Sequence, residues 1–132
     1  AGRGHKLTPP PVKVLAEKMG VPVCQPRTLR TPEAFEELRG FEANLIVVAA
    51  YGRILPAEVL ELPKYGCINV HGSLLPEYRG AAPMQRAIID GKPFTGITTM
   101  YMNEGIDTGD MLETCRVEIA WRRRAVNCSS AR

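Results

Sequence analysis

Cys67-Ile68-Asn69-Val70-His71-Gly72-Ser73-Leu74-Leu75-Pro76-Glu77-Tyr78-Arg79-Gly80 is the stretch on which the reading of this chain turns. A short apolar run carries an amide and an imidazole two residues apart and then breaks into Gly, Ser and Pro. Alternation along an extended segment puts Asn69 and His71 on the same side of a strand from Cys67 to Val70. A strand end that offers two polar side chains to one point is suited to chemistry.

Outward from that strand, helices and strands alternate. Leu45 to Ala50 is an apolar run without alternation, which predicts a strand covered on both faces, and Tyr51-Gly52 ends it. Val12, Leu15, Ala16 and Met19 form the stripe of an amphipathic helix that stops at Gly20. Val21 to Gln25 is a further extended candidate. Thr31-Pro32-Glu33 supplies an N-cap, a first-turn proline and an acidic first turn for a helix ending near Gly40. Pro56 to Leu60 predicts one or two helical turns, and Pro83 to Ile89 a helix ending at Asp90-Gly91. Ile97 to Met102 and Met111 to Ile119 read as strands, joined closely enough to pair antiparallel. The pattern is α/β, a mostly parallel sheet flanked by helices with a strand hairpin near its end. In such sheets the ligand crevice lies at the carboxyl ends of the strands, where Tyr51-Gly52-Arg53 and Asn69-Val70-His71 both fall.

The bulk numbers narrow the function. The chain has 132 residues, enough for one domain with a core. Its net charge of +3 comes from the end: residues 121–132 hold four Arg and no acid, and the rest carries 13 basic against 14 acidic residues, or −1. Net charge therefore gives no general attraction to nucleic acid, and any such contact needs a local patch. No apolar run is long enough to span a bilayer. The four cysteines have no C-x-x-C pair and no histidine at metal-ligand spacing, so they are expected to be buried thiols in a reducing compartment, and no metal is expected.

The chemical groups admit more than one use. Asn69 and His71 could cap local backbone, or could donate to a carbonyl oxygen that gains negative charge. An imidazole also carries protons near neutrality. Asp107 lies in a turn-rich loop, where it could serve an Asx turn or orient the imidazole, and pattern alone does not separate it from Glu104 and Asp110. Leu74 and Leu75 suit an apolar wall for a flat ligand. Ser73 is not in a G-x-S-x-G elbow and is not expected to be a hydrolase nucleophile. Arg79 and Arg86 read as surface charges. Gly2-Arg3-Gly4-His5-Lys6 is a short basic loop suited to phosphate contacts.

Taken together these residues resemble the folate-dependent formyltransferase family. Asn69-Val70-His71-Gly72-Ser73-Leu74-Leu75-Pro76 and Gly96 to Leu112, which includes Gly105-Ile106-Asp107-Thr108-Gly109, are similar to its two signatures and occur in the family's order. Ala1 to Leu7 with the following Pro-Val-Lys-Val-Leu-Ala-Glu, and Arg79 to Ala87, are most similar to the branch that formylates an aminoacyl-tRNA. The resemblance covers about residues 1 to 119 and implies a Rossmann-like formyltransferase sheet. It implies an enzyme that moves a formyl group from the co-substrate 10-formyltetrahydrofolate to the α-amine of initiator methionyl-tRNA, in translation initiation. Asn69, His71 and Asp107 are then the catalytic residues. Ser73, Leu74, Leu75 and Pro76, with Arg53, Ile54 and Leu55 of the Tyr51 to Pro56 loop, are then the folate-binding ones, and Arg3 the tRNA-binding one. A metal-free, monomeric, cytoplasmic protein of bacterial type is implied, an organellar one being also compatible.

The family pattern also begins with a strand ahead of the basic loop and continues into further helices and a β-barrel domain. Against it, residues 1–120 are expected to be a partial catalytic domain, truncated at both ends, and residues 121–132 a divergent basic tail. A sibling enzyme acting on a nucleotide sugar or glycinamide ribonucleotide, and an inactive folate-binding fragment, are the alternatives.

Overall fold

The structure is a computed structural model and describes residues 8–120. Arg3 with its basic loop, and the tail at 121–132 with Cys128, lie outside the described residues. The elements run α1 (Pro11–Lys18), α2 (Pro32–Arg39), β1 (Ile46–Ala49), α3 (Ala57–Leu60), β2 (Cys67–His71), α4 (Pro83–Ile89), β3 (Phe94–Tyr101) and β4 (Met111–Glu118).

Local chemistry explains most boundaries. Thr31 caps α2 by accepting a hydrogen bond from Ala34 N at 3.3 Å, an interaction of about 1 kcal/mol. Proline opens α1, α2 and α4, where its missing N–H costs nothing. α4 and the end of α2 fall where the sequence places them. β3 starts earlier than expected, at Phe94, because its partner β4 extends to Glu118 opposite it.

The sheet has the order β1-β2-β3-β4. β1 and β2 pair in parallel, β2 and β3 antiparallel, and β3 and β4 antiparallel as the short connection implied. The α/β class holds, and the sheet of the described residues is mixed, with one parallel pairing of three. Two glycines in the hairpin are set by close approach. A Cβ at Gly96 would strike the Cys115 carbonyl and Leu74, and one at Gly109 would strike the Tyr101 carbonyl.

Leu55, Val59 and Cys67 form a core cluster, packed by Phe35 and Leu38 of α2 and by Ile46 and Val48 of β1. That arrangement corrects two expectations. β1 is not covered on both faces: Val47 is 62% exposed, because the helices that supply Phe35, Leu38 and Val59 lie on the Ile46 and Val48 side. Val21 to Gln25 is not a strand, since among the described residues no strand beside it completes a ladder; Val21 N bonds back to the Ala16 carbonyl at 2.9 Å instead. The thiols also differ from expectation. Cys67 is buried, and burial raises its pKa, but Cys24 is half-buried and Cys115 lies exposed on β4, an outer strand.

Candidate functional site

Parallel pairing of β1 with β2 brings the end of β1, with the Tyr51 to Leu55 loop, alongside Asn69 and His71 at the end of β2. Ala50 and Gly52 both have positive φ, 51° and 71°, so the chain turns sharply out of the sheet there. β3 pairs Met100 with Asn69 and Thr98 with His71, and the connection from β3 to β4 returns Asp107 over the same strand end.

Asn69, His71 and Asp107 meet. Asn69 Nδ2 donates to Asp107 Oδ1 at 3.2 Å, and His71 Nδ1 lies 3.5 Å from Asp107 Oδ2. Gly80 N donates to Asp107 Oδ2 at 2.8 Å, so two hydrogen-bond donors and one imidazole nitrogen face one carboxylate. The structure thereby separates Asp107 from Glu104 and Asp110, both exposed. Asp107 itself has φ 51°, a backbone conformation that Asp tolerates better than most residues.

His71 is 6% exposed, and its Nε2 lies 3.0 Å from the Tyr78 carbonyl oxygen. A carbonyl only accepts, so Nε2 carries the hydrogen of that bond. Nδ1 is the nitrogen left facing Asp107.

These groups open onto a cavity of about 620 Å3, within the usual range for small-molecule sites. Its wall is largely apolar, with Val48, Ile97, Met84, Met100, Met102 and Ile106, and its polar end is Asn69, His71 and Asp107. Arg53, Ile54 and Leu55 line it, so the structure brings them together with the polar trio. Arg53 also borders a second cavity of about 280 Å3 beside Thr28, Arg30 and Tyr51, and its Nη1 donates to the Arg27 carbonyl at 3.1 Å.

Ser73 to Pro76 do not line this cavity. Ser73 has no exposed surface and spends its hydroxyl on the Glu77 carbonyl at 2.6 Å. Thr98, also without exposure, donates to the Ser73 carbonyl at 2.7 Å and accepts from Leu75 N at 3.1 Å. Buried polar groups that satisfy one another in this way fix a loop's shape, and Leu74 packs against Gly96.

Sequence reasoning missed the backbone partners of the site, the Tyr78 carbonyl and the Gly80 N–H, because a main-chain atom leaves no mark on residue type. It also missed the three methionines. The Tyr78 phenol donates to Asp90 Oδ2 at 2.8 Å. Desolvation first, then the hydrogen bond to Asp90 and the charges of Asp90 and Glu77, push that phenol up to about 12. Arg79 is exposed, as expected, and its carbonyl accepts from Arg86 Nη2 at 2.6 Å. Among the described residues no group of three or more His, Cys, Asp or Glu is placed to hold a metal, and no helix is long and apolar enough to cross a membrane.

Comparison with known proteins supplies names. The family described as formyl transferase matches residues 1–128. The methionyl-tRNA formyltransferase of Citrifermentans bemidjiense is 61% identical over 111 residues, covering 84% of this chain and 35% of that protein. The methionyl-tRNA formyltransferase of Acetivibrio thermocellus is 56% identical over 119 residues, covering 90% of this chain and 38% of that protein. The chain thus spans about a third of the length of these curated relatives. Among solved structures, the phosphoribosylglycinamide formyltransferase of Bacillus halodurans superposes with a TM-score of 0.69 at 30% identity, covering 81% of this chain and 59% of that one. A sugar N-formyltransferase from Shewanella superposes with a TM-score of 0.61 at 29% identity, covering 80% and 40%.

Proposed function

This chain belongs to the formyl transferase family, and from that premise we propose that it is the catalytic part of an enzyme that formylates the α-amine of methionyl initiator tRNA. The observation that carries the reading is the convergence of Asn69, His71 and Asp107 at the polar end of an apolar cavity. The co-substrate is 10-formyltetrahydrofolate, which supplies the formyl carbon. The apolar wall suits the faces of the folate's flat ring and the polar end its heteroatoms, and Arg53, Ile54 and Leu55 are the wall residues that would hold it. The Thr98 hydroxyl, bonded to Ser73 and Leu75, fixes the loop that follows His71.

The residues divide the chemistry as follows. An α-amine, with a pKa of about 7.7–8.0, must be unprotonated to attack. Attack on the formyl carbon forms the new C–N bond and moves the carbonyl electron pair onto oxygen. Asn69 Nδ2 gives one hydrogen to Asp107 and keeps a second for that oxyanion. His71, with Nε2 committed to the Tyr78 carbonyl, exchanges protons on its Nδ1 side with Asp107 and solvent, and its ring carries positive charge when both nitrogens are protonated. The proton lost by the amine passes along this route to the departing folate nitrogen as its bond to the formyl carbon breaks. No protein atom needs to be acylated. Arg3 is proposed to contact the tRNA acceptor arm, since a cation there positions phosphates.

A competition assay tests the acceptor. With 10-formyltetrahydrofolate as donor, on this chain and on the same chain extended to the length of its relatives, methionyl initiator tRNA is expected to be formylated in preference to glycinamide ribonucleotide or an amino-sugar nucleotide. Preference for either small acceptor would overturn the tRNA reading.

A further inference from the structure

The segment from Glu77 to Gly80 is held at every residue, and its holding points run from the surface to His71. Ser73 Oγ donates to the Glu77 carbonyl, and Lys92 Nζ sits 3.2 Å from Glu77 Oε1. The Tyr78 phenol reaches Asp90, the residue that ends α4. Arg86 and Lys92 lie 5.4 Å and 5.9 Å from the centre of the Tyr78 ring, within cation–π range. Arg86 also ties the Arg79 carbonyl, and Gly80 N binds Asp107. In the middle, Tyr78 has φ 58°, a conformation in which a bulky aromatic is a genuine outlier. Such a backbone persists where its surroundings over-determine it. The strained residue is the one whose carbonyl receives His71 Nε2–H.

We propose that Tyr78 is a positioning residue for His71. Its phenol, anchored on Asp90, holds the peptide that fixes which imidazole nitrogen carries the committed hydrogen and which faces Asp107. α4 is then part of the site without touching the cavity's polar end: its buried Ala87 seats the helix, and Asp90 and Arg86 pass its position to the loop. Loss of the phenol hydroxyl frees the Tyr78 peptide to relax from its left-handed conformation, and the carbonyl turns away from Nε2. His71 can then exchange tautomers, and its register with Asp107 is lost. This rests on the formyl-transfer reading for its consequence in catalysis, but not for its consequence at the imidazole.

The test uses the full-length protein and two readouts. Imidazole nitrogen NMR reports the tautomer of His71 directly, and steady-state kinetics report its use. In Tyr78→Phe, which keeps the ring under Arg86 and Lys92, and in Asp90→Ala, the Nε2–H signal of His71 is expected to weaken or shift. In both, kcat is expected to fall about tenfold, the order of one hydrogen bond, with KM for the folate little changed and the pH profile of kcat displaced. Tyr78→Phe combined with Asp90→Ala should be no worse than either alone, because both remove one contact. Asp90→Asn, which keeps an acceptor, should restore both readouts toward wild type. Unchanged His71 signals in Tyr78→Phe, or additive losses in the double variant, would overturn the proposal. Absence of formyl transfer by the wild-type protein would overturn the functional reading alone, with the His71 signals still deciding the clamp.

Discussion

Replacing Asp107 by Asn isolates its charge. Asn also tolerates a left-handed backbone, so φ 51° at this position is kept, and the side chains match in size. What changes is the acceptor count. Asp107 accepts from Asn69 Nδ2 on Oδ1 and from Gly80 N on Oδ2, and Oδ2 also lies 3.5 Å from His71 Nδ1. An amide keeps one acceptor oxygen and turns an NH2 toward the remaining donors. With its oxygen on Gly80 N, its NH2 opposes Asn69 Nδ2 at the former 3.2 Å. With the amide reversed, the NH2 opposes Gly80 N at 2.8 Å, which is worse. Either way one charge-assisted bond is lost and a partner is left unsatisfied, together about 3–4 kcal/mol. If the transition state feels most of that, kcat falls by about 10²–10³. The assay is formyl transfer to methionyl initiator tRNA by the full-length protein under saturating and subsaturating folate. The loss is expected in kcat rather than in KM. A kcat within about threefold of wild type would refute the assigned role, because a carboxylate that binds Asn69 and Gly80 N beside His71 cannot then be coupled to the chemistry.

Thr98→Val tests the loop that follows His71. It removes a hydroxyl that bonds both the Ser73 carbonyl and Leu75 N with no exposure, so unfolding free energy should fall by about 2–4 kcal/mol in denaturant titration; a loss under 0.5 kcal/mol would show those groups repartnered. The Tyr78 phenol gives a pH prediction. Its folded pKa of about 12 exceeds the ordinary value of 10.0, so the fold binds this proton more tightly than the unfolded chain does. Its contribution to stability is complete below pH 10 and lost as pH climbs through about 12. Ultraviolet titration should show a late phenolate step that Tyr78→Phe abolishes, and loss in that variant of a step near the ordinary 10.0 instead would contradict the hydrogen bond to Asp90.

Local signals carried the elements. Thr31-Pro32-Glu33 marks α2 because the cap and the first turn are made by those residues themselves, and α4 is bounded by Pro83 and by Asp90-Gly91 in the same way. The alternation that placed Asn69 and His71 on one side of β2 is likewise a property of the segment alone. Burial was less legible. Leu45 to Ala50 is as apolar as a strand covered twice, yet Val47 is exposed, since cover is supplied by other segments and not by the strand. The loop of three acids shows the same limit: only the fold decides that Asp107, and not Glu104 or Asp110, receives Asn69 and Gly80. The Tyr78 carbonyl and the Gly80 N–H were illegible for a deeper reason. Every residue but proline has both groups, and only the conformation of the Glu77 to Gly80 loop aims them.

A single turnover with labelled formyl donor, full-length protein and methionyl initiator tRNA, quenched over time, tests the central claim that this trio passes the formyl group directly from folate to amine. Label leaving the folate should appear at once on the methionyl amine, with none held by protein at any time. A protein-bound formyl group that forms and decays at the rate of turnover would contradict it.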